Sequence, residues 1–242
     1  MATDYAGLGT PGPHPYLDGP AAGRNILDSL VAVRALRDTG ASATAAIGGV
    51  SQGGHAALWA LRLAAAAEDG MPGGTTIVGG VVAAPPGDLL AVADWSLGPD
   101  AGPVAWRNDI FVATAWADAY GLALDRLLVP AALPIAAAAR TDDCDPAPAA
   151  NPLALDLVAD PEVAALLAAN SPIGAAVAGP LLYLQGDADD QVPVERARRT
   201  RDALCAAGTI VDYREIAGAG HAESITGGDL LAAAEPEYGH PS

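Results

Sequence analysis

One short stretch, AIGGVSQGGHAALWA over residues 46–60, constrains the fold more than any other part of the chain. It places Ser51 between an apolar run and a helix-forming run, with a glycine two positions away on each side. A Gly-x-Ser-x-Gly pattern between a strand and a helix is typical of a sharp turn that lifts the serine hydroxyl above a parallel sheet. The pattern is weak by itself, because the chain has 28 glycines and ordinary glycine-rich packing would also match it.

Strand-like and helix-like segments alternate around this turn. Apolar runs predict strands over residues 44–50, 75–86, 180–187 and 209–216, and the end of a further strand over 3–9. Periodic apolar residues predict helices over 20–38, 52–68 and 192–207, and the start of a final helix over 230–235. This alternation predicts an α/β fold, with a mostly parallel sheet and helices on both faces.

The middle of the chain has a different pattern. Residues 88–179 are rich in Ala, Leu and Pro and show helical periodicity without strand-like alternation. We therefore predict a helical insertion over residues 88–179. Residues 1–87 and 180–242 together would form the α/β core.

The charge of the chain excludes some partners. It has 29 acidic and 12 basic residues, which gives a formal net charge of −17. Such a chain repels phosphate groups, so neither nucleic acid nor an anionic membrane is expected as its main partner. The N-terminus lacks the basic and apolar regions of a signal peptide, and polar residues or prolines interrupt the uncharged runs. We therefore predict neither a signal peptide nor a transmembrane segment.

The chain has two cysteines, Cys144 and Cys205, which are too few for a disulfide scaffold and lack the spacing of metal ligands. One disulfide and two free thiols are both compatible with the sequence. The acidic runs over 142–145 and 187–190 do not have the spacing of a known calcium-binding loop. The sequence therefore gives little support for a metal site.

A serine nucleophile requires a base and a carboxylate that orients the base. In sheets of this kind the chain order is serine, then acid, then histidine. Asp189 lies just after the predicted strand over 180–187, and we predict that it is the acid, with Asp187 and Asp190 as rivals. Its alternative roles are a helix cap and a solvated turn residue.

His221 follows the last predicted strand, which makes it the candidate base. Of the other histidines, His14 lies in a proline-rich loop before the serine, and His240 lies near the C-terminus. His55 lies in the helix after the serine, where we expect it to pack or hydrogen-bond beneath the insertion. The backbone N–H of Gln52 would face a developing oxyanion.

Several segments in the same order resemble the secretory lipase family of α/β-hydrolases, which includes a yeast lipase A. These segments are DYAGLG, HPYLDGPAAGRNILDSLVAVRAL, GVSQGGHAALWA, GDADDQVP and GAGHAE, and the resemblance runs from residue 3 to about residue 234. It implies that Ser51 is the nucleophile, that His221 is the general base and that Asp189 orients it. It further implies that the insertion is a cap over an acyl pocket, that the substrate is an ester, often a triacylglycerol, and that no cofactor is needed.

The chain departs from this family before Ser51. Only 50 residues precede the serine, whereas the family has four strands there, so the N-terminal strands are expected to be missing. The strand before Ser51 would then have an unpaired side, which would allow self-association through an exposed sheet edge. The loop that supplies the second oxyanion donor would also be missing, and so would the family's partner for Cys144. The family is secreted, but the chain as written would be cytoplasmic.

Three functions remain open from the sequence. The first is a carboxylic ester hydrolase, either a lipase or an esterase. The second is a peptidase or thioesterase that uses the same three residues, because a fold does not fix the substrate. The third is a non-catalytic fragment or binding module.

Overall fold

The computed structural model describes residues 1–36, 39–68, 70–140 and 148–223. Its centre is a sheet of four parallel strands in the order β1-β2-β3-β4. The strands are β1 (Thr44–Val50), β2 (Thr76–Ala83), β3 (Leu181–Gly186) and β4 (Val211–Ile216). Because the strands are parallel, their carboxyl ends all lie at one edge of the sheet.

The helices that alternate with these strands are α1 (Gly19–Ala35), α2 (Gln52–Ala65), α3 (Leu89–Ser96), α4 (Pro103–Tyr120), α5 (Leu124–Leu127), α6 (Leu133–Ala139), α7 (Pro161–Asn170) and α8 (Val194–Ala206). Short 3₁₀ turns cover Pro72–Gly74 and Pro130–Ala132. The predicted parallel α/β architecture is confirmed, and the four strands from residue 44 onward lie within or on their predicted ranges.

The prediction of a strand end over residues 3–9 is wrong. These residues form a turn, in which the Leu8 N–H donates to the Tyr5 carbonyl at 3.0 Å. Gly7 has a φ of +81°, and a Cβ there would lie 2.5 Å from the backbone of Pro13, so the chain folds back on itself. The helix predicted over 230–235 lies outside the described residues.

Local capping explains where the first helix begins. Asp18 precedes α1 and its carboxylate accepts the Ala21 N–H at 3.0 Å, while Pro20 occupies the first turn. A capping carboxylate and an early proline both stabilise a helix start. The helix ends at Ala35, a little before the predicted end.

One face of the sheet packs against α1, α2 and α8. The large buried side chains of this contact include Ile47, Leu58, Leu61, Val82, Leu181, Tyr183 and Leu204. Val81 points to the opposite face and is 44% exposed. In the described residues the helical layer therefore lies on one face, and helical cover of the other face stays a prediction.

The segment between β2 and β3 carries helices α3 to α7 and a second apolar cluster. The largest fully buried members of this cluster are Ile110, Trp116 and Leu128. Within its described residues the only pairing of extended chain is a single antiparallel bridge between Leu128 and Leu153. The helical character of the segment is as predicted, and its division from the core as a domain stays a prediction.

Asn170, the last residue of α7, joins this segment to the core. Its side-chain oxygen accepts the Gly19 N–H at 2.9 Å, and its amide nitrogen donates to the Tyr120 hydroxyl at 2.9 Å. Its backbone carbonyl accepts the ring N–H groups of His55 at 2.8 Å and Trp59 at 2.7 Å. One buried residue thus bonds to α1, α2 and α4.

The described part of the chain contains no helix with the length and apolar character needed to cross a lipid bilayer.

Candidate active site

Ser51 lies between β1 and α2 in a conformation that side chains rarely adopt. Its φ is +50° and its ψ is −120°. Such backbone strain persists only where neighbouring contacts hold it. Here the Ser51 N–H donates to the Ala83 carbonyl at 2.9 Å, and the Ser51 carbonyl accepts the His55 N–H at 3.0 Å. The Ser51 side chain caps no N–H of α2, so its hydroxyl is available for other contacts.

The glycines around Ser51 have unequal steric roles. A Cβ at position 49 would lie 2.1 Å from the Gly53 carbonyl oxygen, so Gly49 is essential to the turn. A Cβ on Gly54 would lie 3.0 Å from Pro85, which is also tight. A Cβ on Gly53 would meet nothing nearer than the Tyr5 hydroxyl at 3.7 Å. The backbone therefore requires a glycine at position 49, position 54 is tightly packed, and the second glycine of the pattern has room for a methyl group.

Asp189 and His221 form a buried pair at the carboxyl edge of the sheet. The His221 Nδ1 atom lies 3.0 Å from Asp189 Oδ1 and 2.9 Å from Oδ2. The Asp189 side chain is fully buried and His221 is 8% exposed. With Nδ1–H donating to the carboxylate, the neutral ring presents Nε2 as its basic atom.

Three further donors hold the Asp189 carboxylate in place. The N–H groups of Gln191 and Val192 donate to Oδ1 at 2.9 and 2.8 Å. The side-chain amide of Gln185 donates to Oδ2 at 2.9 Å and to the Val192 carbonyl at 2.9 Å. Gln185 is fully buried within β3 and was not predicted as a site residue. Its only mark in the sequence is that a glutamine interrupts the otherwise apolar run PLLYLQGD, and this mark alone does not indicate a role in the site.

The rival acids lie elsewhere. Asp187 is exposed and accepts the Gly218 N–H at 2.6 Å, and Asp190 is exposed. Asp189 is not the residue that caps α8, because that helix begins at Val194 with Pro193 before it. Within the described residues, the acid that contacts His221 is therefore Asp189.

The other described histidines have structural partners. The His14 ring donates from Nδ1 to the Ala6 carbonyl at 3.0 Å, and its Nε2 accepts the Gln52 side-chain amide at 2.6 Å. His55 is completely buried and bonds to Asn170, beneath the helical insertion as expected. Burial lowers the pKa of His55 to about 4, so its ring is neutral at ordinary pH.

Ser51 and His221 line the same cavity, which has a volume of about 60 Å³. Much of its wall is apolar, from Leu17, Pro86, Leu89, Val92, Val112, Trp116, Leu157 and Leu167. In the described residues no hydrogen bond joins the Ser51 hydroxyl to the His221 ring, and such bonds are often long in free enzymes. The Gln52 N–H belongs to the first turn of α2, where N–H groups have no partner within the helix.

Asp109 of α4 is a polar residue in this apolar wall, and the sequence analysis does not predict it as a site residue. It is 9% exposed, and its Oδ2 atom has no hydrogen-bond partner. Burial raises the pKa of its carboxyl group from 3.8 to about 7, and a hydrogen bond with Ser96 partly offsets the rise. The only signal in the sequence is one acid between apolar and aromatic residues.

No group of His, Cys, Asp and Glu in the described ranges is arranged to hold a metal ion. The Cys205 thiol is free and exposed, and Cys144 lies outside the described residues.

Comparison with solved structures places this geometry in a known fold. Candida antarctica lipase A superposes with a TM-score of 0.65 at 17% identity, over 86% of this chain and 51% of the lipase. The rice cell wall degrading esterase LipA of Xanthomonas oryzae gives 0.66 at 17% identity, over 92% and 64%. A presumed hydrolase of Legionella pneumophila gives 0.73 at 15% identity, over 98% and 70%.

The chain has the α/β-hydrolase fold. It spans about half the length of Candida antarctica lipase A. At these identities the likeness establishes the architecture of the α/β-hydrolase and not its substrate. No protein-family profile and no curated protein sequence matches the chain, so membership of the secretory lipase family stays a prediction.

Proposed function

We propose that this chain hydrolyses carboxylic esters through an acyl-enzyme formed on Ser51. One observation carries the proposal: a strained serine between strand and helix lines the same cavity as His221, and the His221 ring is hydrogen-bonded to the buried Asp189 carboxylate. That arrangement contains the groups needed for acyl transfer, in the chain order found in α/β-hydrolases.

The proposed reaction has two halves. The Ser51 hydroxyl attacks the ester carbonyl while His221 Nε2 accepts its proton and then protonates the leaving alcohol. Water, deprotonated by the same ring, releases the acid and restores the serine. Asp189 holds the tautomer of His221 and stabilises the imidazolium that forms. The Gln52 N–H, at the positive end of α2, stabilises the tetrahedral oxyanion.

The cavity suggests the class of acyl group. Its small volume and apolar wall favour a short acyl chain that is largely uncharged. The names of two neighbours, a lipase and an esterase, support ester substrates. Hydrolysis of triacylglycerols, a role in lipid degradation and secretion remain proposals that rest on the family resemblance.

Labelling with a fluorophosphonate tests the nucleophile directly. We expect the probe to modify Ser51, as located by peptide mass spectrometry, and we expect Ser51→Ala to abolish the label. Hydrolysis of p-nitrophenyl butyrate should fall by at least about 10⁴-fold in the same variant. A folded wild-type chain that neither labels nor hydrolyses the ester would refute the proposal.

A matched pair of variants tests the acid. Asp189→Asn should lower kcat by about 10³–10⁴-fold, because the amide favours the wrong tautomer of His221. Asp190→Asn alters the exposed neighbour and should leave kcat within about twofold. Equal losses in the two variants would contradict the assignment of Asp189.

Parallel assays with a butyryl thioester and a peptide anilide separate the alternatives that use the same residues. A higher kcat/KM for the anilide or the thioester than for the matched oxygen ester would make this chain a peptidase or a thioesterase.

A further inference from the structure

Asp109 lies in the wall between two cavities. The first is the cavity that Ser51 and His221 line, and the second is a smaller apolar cavity of about 10 Å³ behind it. The residues common to both walls are Asp109, Val112, Trp116, Leu157 and Leu167. An acyl chain that started at Ser51 and extended toward the second cavity would therefore pass the Asp109 carboxyl group.

A buried polar atom without a partner is unusual, because its desolvation is not compensated. Asp109 Oδ2 is such an atom, and it belongs to a side chain that is nine-tenths buried. Ser96 of α3 partly lowers the pKa of the Asp109 carboxyl, and Tyr16 of the N-terminal loop and His221 line the same cavity as Asp109. Burial raises the pKa of Tyr16 to about 12, with opposing contributions from Arg107 and Asp109, so the phenol is a neutral neighbour.

We infer that Asp109 is a specificity residue that selects acyl groups bearing a hydroxyl. The inference rests on the proposed ester hydrolysis at Ser51. A hydroxyl both donates and accepts hydrogen bonds, so it pairs with the Asp109 carboxyl whether that group is protonated or ionised. A purely apolar acyl chain would leave Oδ2 unpaired and deprived of water. Sites built to bind a hydroxyl reject analogues that lack it for this reason.

Isosteric ester pairs test the inference. The p-nitrophenyl esters of 3-hydroxybutyrate and 3-methylbutyrate differ by one hydroxyl in place of a methyl group, and so do those of 6-hydroxyhexanoate and heptanoate. We expect wild-type kcat/KM to be at least about tenfold higher for the hydroxyl member of one pair. In Asp109→Leu that preference should disappear or reverse, whereas Asp109→Asn, which still donates and accepts, should keep most of it.

Asp118→Leu is the matched control. Asp118 lies on the same helix but is exposed, pairs with Arg140 and does not line the Ser51 cavity. A purely structural role for Asp109 would change thermal stability and all kcat/KM values together, and not the ratio within a pair.

The outcomes distinguish the two proposals. A wild-type chain that hydrolyses both members of every pair equally well would overturn the role of Asp109 and leave ester hydrolysis intact. An unchanged ratio in Asp109→Leu would also overturn it. A chain that hydrolyses no ester and takes up no fluorophosphonate would overturn both.

Discussion

At the turn around Ser51, not every glycine of the sequence pattern is needed for steric reasons. Gly49 has no room for a methyl group, whereas Gly53 has 3.7 Å to its nearest neighbour. The pattern Gly-x-Ser-x-Gly thus located the right turn, although only its first glycine is required by contact. The further tight position, Gly54, is outside the pattern.

Alanine substitutions should separate these roles. Gly49→Ala should abolish esterase activity and fluorophosphonate labelling, because its methyl group would overlap the Gly53 carbonyl. Gly53→Ala should retain folding and activity within about fivefold, and should gain slightly in helix propensity. Far-ultraviolet circular dichroism and labelling of both variants provide the measurement. A Gly49→Ala protein as active as Gly53→Ala would contradict the steric argument.

Asp109 should also leave a signature in the pH dependence of stability. The pKa of its carboxyl group is about 7 in the folded chain, against an ordinary value of 3.8 that applies to the unfolded chain. Between these two pH values the folded chain therefore binds a proton that the unfolded chain has lost. Stability should therefore fall as pH rises through this window and then level off, with a total loss of up to about 4 kcal/mol. Asp109→Asn does not titrate and should lack this loss.

Urea unfolding of both proteins at several pH values measures the difference. The free energy of unfolding of Asp109→Asn, relative to the wild type, should increase from acid to neutral pH. A difference that stays constant with pH would show that Asp109 titrates normally.

Candidate site residues that follow strands can be recognised in the sequence, whereas those that depend on burial cannot. Ser51, Asp189 and His221 could be named as candidates because each follows a strand and the fold fixes their chain order. Gln185 and Asp109 could not be named, since their positions depend on burial beside partners that are distant in the chain. A buried glutamine and a buried acid look like ordinary polar residues until the packing around them is known.

At the level of elements, Asn170 connects α7 to three other helices. Its side chain satisfies the Gly19 N–H of α1 and the Tyr120 hydroxyl of α4, and its carbonyl accepts two ring N–H groups of α2. Helices α1, α2, α4 and α7 thus meet at one buried residue.

Asn170→Leu should therefore be strongly destabilising. Leucine has the same number and branching of side-chain heavy atoms as asparagine and leaves no cavity, but the buried Gly19 N–H loses its acceptor and the Tyr120 hydroxyl loses a donor, at a cost of about 2–4 kcal/mol. Asn151→Leu is the control, because Asn151 is only half-buried and its side chain accepts one N–H, from Leu153. Denaturant unfolding should give at least twice the loss for Asn170→Leu, and equal losses would contradict its role as a connection.

Strands were predicted more accurately than the N-terminal loop for a physical reason. Buried parallel strands read as continuous apolar runs that prolines interrupt, so β1 was predicted over its full length and β3 begins directly after Pro180. Residues 3–9, TDYAGLG, have a threonine and a tyrosine, which favour strands, and then reach two glycines, which favours the end of a strand. Their shape, however, is decided by Gly7 and by the hydrogen bond from His14 to Ala6, which no local pattern reveals.

For the whole molecule, the most consequential feature is the position of β1 at the end of the sheet. In the described residues β1 pairs with β2 alone, and Val78 and Val81 of β2 are exposed beside it. A groove of about 460 Å³ runs along this strand, between α1 and the first residues of the chain. Unpaired strand edges favour pairing with another strand.

We propose that two copies of the chain pair through β1, because an edge strand is complementary to its own copy related by a two-fold axis. The net charge of −17 opposes this association, so added salt should strengthen it. Light scattering over a range of protein and salt concentrations measures the mass. Ala46→Lys, which alters an exposed β1 residue, should weaken the dimer, whereas a monomer under all conditions would refute the proposal.

The parallel sheet and the helical layer that packs on it could be predicted from the alternation of strands and helices. What the alternation could not provide is how the second face of the sheet is covered. That depends on which segments meet across the sheet, and Val81 carries no mark of its exposure in the sequence.

Ser51 directly follows β1, which is an edge strand of the described sheet, and warming should reveal the consequence of this position. Strand edges fray before the interior melts, so the geometry at residue 51 should be lost while most helices persist. Residual activity after brief heating should therefore decline several degrees below the midpoint seen by circular dichroism. If the loss of activity and the circular dichroism transition coincide, the turn at Ser51 and the core unfold as one cooperative unit.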